Sequence, residues 1–88
     1  MDKEKLHQME VDVIIGKRGL DEAVIGEVKR RLKRKRFIKV KMLRSTLMAE
    51  DSDRRTIAGE LASKADAGLI SIKGRTVILK RKANFNKG

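Results

Sequence analysis

Two glycines three residues apart frame two cations in Gly16-Lys17-Arg18-Gly19. That arrangement suits one kind of chemistry, the gripping of a phosphate chain. Glycine permits backbone angles closed to other residues and puts no side chain between the main chain and a ligand. Lysine neutralises a phosphate as a point charge, and arginine pairs with it bidentately. Lys17 and Arg18 have no folding duty legible in the sequence, so both are candidate backbone contacts. A helical pattern begins directly after the loop. A helix start adds unpaired N–H groups and the positive end of the dipole.

A second set of cations follows. The stretch from Lys29 to Arg44 holds ten basic residues in sixteen and no acidic one. Lys29, Arg30, Lys33 and Arg34 fall on the polar face of a helix, and Lys39 and Lys41 on one face of a strand. A run this unbalanced repels itself unless a polyanion covers it. Local duties compete with that reading: cations near a helix end complement its dipole, and lysines on an exposed sheet face discourage aggregation. Arg75, in a turn, is a further candidate. The whole chain has 88 residues, with 23 Lys and Arg against 12 Asp and Glu, a net charge of +11. Such a balance selects a polyanionic partner, nucleic acid first and an anionic membrane surface a distant second.

Other chemistries find little footing. The chain has no Cys and a single His, His7, which reads as a surface residue. Disulfides and thiolate metal sites are excluded, and a zinc site would lack ligands. There is no Gly-Lys-Ser/Thr signature, no nucleophile–His–acid set and no carboxylate pair placed by spacing. The acidic residues fall at helix starts or beside basic ones, where capping explains them. The expectation is a binding protein, not an enzyme, with no cofactor, no metal and no small-molecule substrate. No apolar signal segment follows Met1-Asp2-Lys3-Glu4-Lys5, and no apolar run approaches the ~20 residues of a membrane span. A cytoplasmic protein is expected. Few amides, no Cys and many charges also fit a heat-adapted source.

The elements that must position these residues can be read in order. Residues 1–10 are polar, with Leu6 and Met9 as one face of a short helix. Val11 to Ile15 reads as a strand, its Ile pair suggesting burial at the end. Asp21 caps a helix whose apolar stripe is Val24, Val28 and Leu32, with Ile25 beside it and Leu20 at its edge. Phe37 to Leu43 alternates as a strand, Ile38, Val40 and Met42 on one side and Lys39 and Lys41 on the other. Residues 44–50 fit either a loop or an early turn of the next helix. That helix, capped by Asp51 or Ser52, buries Ile57, Ala58, Leu61, Ala62 and Ala65 and stops near Asp66. Met42 and Met48 read as core filler. Leu69–Lys73 and Thr76–Lys80 form a hairpin across Gly74-Arg75. The result is a single α/β domain over 1–88, with its core at about 11–81 and a flexible tail at 82–88. It is a compact two- or three-layer fold with a mixed four-stranded sheet, in the order short α-β-α-β-α-β-β.

Ile15-Gly16-Lys17-Arg18-Gly19-Leu20-Asp21-Glu22-Ala23-Val24-Ile25 resembles the signature of the CRM domain, the chloroplast RNA splicing and ribosome maturation domain. Stand-alone bacterial and archaeal members of that family are YhbY-like proteins. Phe37-Ile38-Lys39-Val40-Lys41 resembles the family's second strand. Asp53-Arg54-Arg55 with Ile57-Ala58 and Leu61 resembles its third helix, and Ile72 to Leu79 its closing hairpin. The resemblance implies a fold similar to the C-terminal domain of bacterial translation initiation factor three. It implies RNA binding through Gly16–Gly19 and the basic surface near it, with large-subunit ribosomal RNA or its precursor as partner. Separately, ribosomal proteins are candidate further partners and a monomer is expected. Three departures stand out: a short first helix, Asp66 where glycine is usual, and Lys80 where tyrosine is common. Asp tolerates a left-handed backbone better than most residues. With no Tyr or Trp and only Phe37 and Phe85, base stacking contributes little and the backbone is read more than the sequence. Two alternatives stay open. One is a KH-like binder of single strands, although its Gly-x-x-Gly loop joins two helices, whereas here a strand runs into the loop. The other is an architectural DNA-binding protein.

Overall fold

A computed structural model describes residues 3–82. The elements are α1 (Lys3–His7), β1 (Val13–Ile15), α2 (Glu22–Arg34), β2 (Phe37–Met42), α3 (Arg44–Glu50), α4 (Arg54–Lys64), β3 (Ala67–Lys73) and β4 (Thr76–Arg81). The flexible tail expected from 82 onward, with Phe85, lies outside the described residues apart from Lys82 itself.

The four strands form one mixed sheet in the order β1-β2-β4-β3. β1 and β2 are parallel, joined by the α2 crossover, with Ile15 level with Met42. β4 runs antiparallel to both β2 and β3. β1 is shorter than the sequence pattern suggests. Val11 is exposed, and only Ile15 of the Ile pair is buried while Ile14 is 59% exposed. Strand alternation sends the two to opposite faces.

The main core lies on one face. Ile38, Val40 and Met42 of β2 and Val77 and Leu79 of β4 pack against Val28 and Leu32 of α2 and Ile57, Ala58, Leu61 and Ala62 of α4. Asp21 caps α2 through Oδ1, which accepts from the Val24 N–H at 2.9 Å. The cap of α4 is Asp53, which accepts from the Thr56 N–H at 2.8 Å, and not the expected Asp51 or Ser52. Asp51 instead ends α3 in the left-handed region at φ 51°. Asp66 is also left-handed, at φ 54°, so the turn after α4 is made without a glycine. At the β3–β4 turn only Gly74 has positive φ, at 60°, which matches the first position of a type II′ hairpin.

The opposite face is not bare, as Lys39 and Lys41 had suggested. α1 lies against β2, β3 and β4. Leu6 and Ile78 are both buried yet stand outside the main cluster. His7 is half-buried, not a free surface residue, and its Nε2 is 2.9 Å from Ser71 Oγ. Three layers result, α1 over the sheet over α2, α3 and α4. Met42 is core as expected, but Met48 is 75% exposed. It sits on the outer side of a short helix.

Candidate nucleic-acid interface

The Gly16–Gly19 loop leaves the C-terminal end of β1 as a tight turn, with the Gly19 N–H donating to Gly16 O at 3.0 Å. Its two glycines have different reasons to exist. Gly19 has φ +65° and is buried, and a Cβ there would overlap the Glu50 carboxylate. Gly16 has no such angle, and a Cβ would meet only Leu43 Cδ1, at 3.9 Å. Gly19 is therefore required by the turn, and Gly16 leaves its outer side open.

Residues 44–50, ambiguous in the sequence, form the helix that holds this loop. The Thr46 hydroxyl is fully buried and donates to Ile15 O at 2.5 Å and Gly16 O at 3.0 Å. One turn later, Glu50 Oε2 accepts from the Leu20 N–H at 2.7 Å. α3 thus grips both ends of the loop. Sequence reading missed both residues. A contact 30 residues away in the chain carries no local signal, and α3 has no capping side chain to announce it.

The N–H groups past the loop are only partly open, contrary to the simplest reading of a helix start. Leu20 N–H is taken by Glu50 and Val24 N–H by Asp21. What remains is the tip. Lys17 and Arg18 are exposed. Neither their N–H groups nor their side chains have a hydrogen-bond or ion-pair partner among the described residues.

The eleven candidate residues fall into three places. Gly16, Lys17, Arg18, Gly19, Lys41 and Arg75 gather at one end of the sheet. Met42 N–H donates to Arg75 O at 2.7 Å, and Leu43 N–H to Ile15 O at 2.9 Å. Two strand spacings therefore separate the Arg75 backbone from the loop, about 10 Å. Lys29, Arg30, Lys33 and Arg34 are exposed along α2, and Arg34 lies about 20 Å along the helix from its cap. Lys39 stands apart from both groups. It is half-buried, and its ammonium donates to His7 O at 2.5 Å and Met9 O at 3.0 Å. It tethers the segment after α1.

The basic run is balanced in part from outside. Glu27 pairs with Arg30 and, at 2.8 Å, with Arg31, and these arginines hold its carboxyl below the usual range. Asp12 pairs with Lys35 at 2.9 Å. Lys29, Lys33, Arg34 and Lys41 have no ion pair among the described residues. At the far end of β2, the Lys80 ammonium lies 5.8 Å from the Phe37 ring centre. Cross-strand pairing puts these two residues opposite each other. Among the described residues there is no group of three or more His, Cys, Asp or Glu placed to hold a metal, and no helix long and apolar enough to cross a membrane.

The family model for the CRS1/YhbY (CRM) domain matches residues 3–81. The chain belongs to this family. A Methanocaldococcus jannaschii protein named "probable RNA-binding protein" is 42% identical over 77 residues, 88% of this chain and 55% of that one. The chain therefore spans about half the length of that relative. A Pseudomonas aeruginosa protein of the same name is 32% identical over 76 residues, 86% of this chain and 69% of its own. A solution structure from Staphylococcus aureus superposes with a TM-score of 0.73 at 21% identity, covering 96% of this chain and 83% of that one. It shares the CRM fold described above, the small α/β domain with a mixed four-stranded sheet.

Proposed function

We propose that this CRM domain binds RNA by its backbone, with the Gly16–Gly19 loop as the principal grip. The observation that carries the proposal is the loop tip. Two exposed, unpartnered cations stand on a turn whose ends are both fixed by α3. A rigid mount lowers the ordering cost of binding. Lys17 and Arg18 displace condensed counterions from the phosphates. Lys41 and Arg75 extend the grip at the sheet end, and Lys29, Arg30, Lys33 and Arg34 extend it along α2. Lys39 acts from beneath by holding α1 in place. The relatives' name, RNA-binding protein, supports the same partner.

The proposed cellular role is assembly of the large ribosomal subunit in the cytoplasm, on ribosomal RNA or its precursor and beside ribosomal proteins. The protein acts as a monomer and a clamp on folded RNA, with no bond made or broken. Competition at fixed salt tests this. Large-subunit ribosomal RNA transcript should displace a labelled RNA hairpin at lower concentration than duplex DNA of equal phosphate content. Equal or better displacement by the duplex would favour the architectural DNA-binding reading instead.

A further inference from the structure

We infer that the groove between α2 and α4 is a second track for the RNA strand held by the loop, with Gly26 as its point of closest approach. This rests on the RNA-binding reading above. The groove is lined by Leu20, Glu22, Ile25, Gly26, Lys29 and Lys64. Its lining includes Leu20, the residue that follows Gly19 in the chain.

Gly26 has no explanation among the described residues. It lies in the interior of α2, where glycine weakens a helix relative to alanine. A Cβ at this position would meet nothing within 4 Å, so no packing requires its absence. A half-buried, costly glycine on the wall of a groove leaves room there for a ligand backbone to come close. Lys29 follows on α2, and Lys64 faces the groove from the last turn of α4. Neither side chain has an ion pair or hydrogen bond among the described residues. Two unpaired cations select a polyanion, and the apolar floor of Leu20 and Ile25 suits the C–H face of a ribose. Glu22 is the one acid of the lining. It stands in the first turn of α2, where it complements the helix dipole. The occupant is thus the sugar-phosphate chain of RNA.

α4 supplies the control. Gly59 is also an interior helix glycine with open space around its Cβ, but it lines no part of this groove. Gly26→Ala and Gly59→Ala should each raise the melting temperature by about 4 °C. Binding is measured by anisotropy of a fluorescein-labelled RNA hairpin with an unpaired tail. Gly59→Ala should leave the affinity unchanged, Gly26→Ala should weaken it about threefold and Gly26→Gln about tenfold. Lys29→Ala and Lys64→Ala should each take about one unit from the slope of log affinity against log salt. The Lys17→Ala/Arg18→Ala variant is run beside them. If it loses affinity while Gly26→Gln binds as the wild type does, the track is refuted and the loop stands. If neither variant changes binding, both readings fall.

Discussion

Thr46 and Glu50 stand one turn apart on α3 and hold opposite ends of the Gly16–Gly19 loop. Thr46 Oγ1 donates to the Ile15 and Gly16 carbonyls, and Glu50 Oε2 accepts from the Leu20 N–H. Glu50 is an acid placed beside a loop proposed to bind an acid, so its role divides in two. Its charge opposes a phosphate, and its hydrogen bond builds the surface that receives one.

Two substitutions separate these roles. Glu50→Gln and Glu50→Ala both remove the charge, but only glutamine keeps an acceptor for Leu20. A hydrogen bond of this kind contributes about 1 kcal/mol. The alanine variant should bind RNA about fivefold more weakly than the glutamine variant, and melt at a lower temperature. Equal affinities would show that the Glu50 hydrogen bond does not position the loop.

The two glycines should respond differently to alanine. At Gly19 the side chain would sit at φ +65° and displace the Glu50 carboxylate. A left-handed alanine alone costs about 1–2 kcal/mol, so Gly19→Ala should lower the melting temperature clearly. Gly16→Ala has room and no forced angle, and its melting temperature should match the wild type. Its effect should appear in RNA binding, where the added methyl stands between loop and phosphate. Thermal denaturation beside a binding titration checks both. Destabilisation by Gly16→Ala equal to that of Gly19→Ala would contradict this division.

Lys39 and Lys41 alternate with the core residues of one strand yet should behave as different kinds of residue. Lys39→Met frees the backbone carbonyls of His7 and Met9 and should lower the melting temperature while leaving the salt dependence of RNA binding intact. Lys41→Ala should keep the melting temperature and lower the salt slope by about one unit. The converse pattern would exchange their roles.

Attachment of α1 should weaken in acid. Burial, then Lys39 and Lys73, hold the His7 imidazole below its ordinary value of 6.5, opposed by Glu4. The unfolded chain therefore binds the proton more readily. Stability is fully present above 6.5 and is lost as pH falls through the lowered folded value. The melting temperature of the wild type should fall on acidification from about pH 7 to about pH 5 by more than that of His7→Gln. Identical pH profiles would show that His7 plays no part.

What the sequence disclosed was local. Asp21 followed by Val24, Val28 and Leu32 gives α2 with its cap, because cap and stripe lie within one window. The alternation of Ile38, Val40 and Met42 gives β2 and its core face. The loop is legible because its glycines and cations are contiguous. The missing parts depend on contacts between distant segments. Residues 44–50 make too short a helix for periodicity to declare it, and Glu50 matters only once α3 is folded against Leu20. The rear face looked exposed because nothing in Phe37–Met42 reveals that Leu6 and His7 will cover part of it. Arg30 looked free because its partner, Glu27, precedes the basic run.

If Lys17 and Arg18 touch phosphates, their loss must register in the salt dependence of RNA affinity. Titrations of the wild type and of Lys17→Ala/Arg18→Ala against one labelled RNA hairpin, from about 50 to about 200 mM salt, give the two slopes. The wild type should fall steeply, and the double variant should fall less steeply by about two units. Parallel lines, or an affinity that does not respond to salt, would contradict that contact.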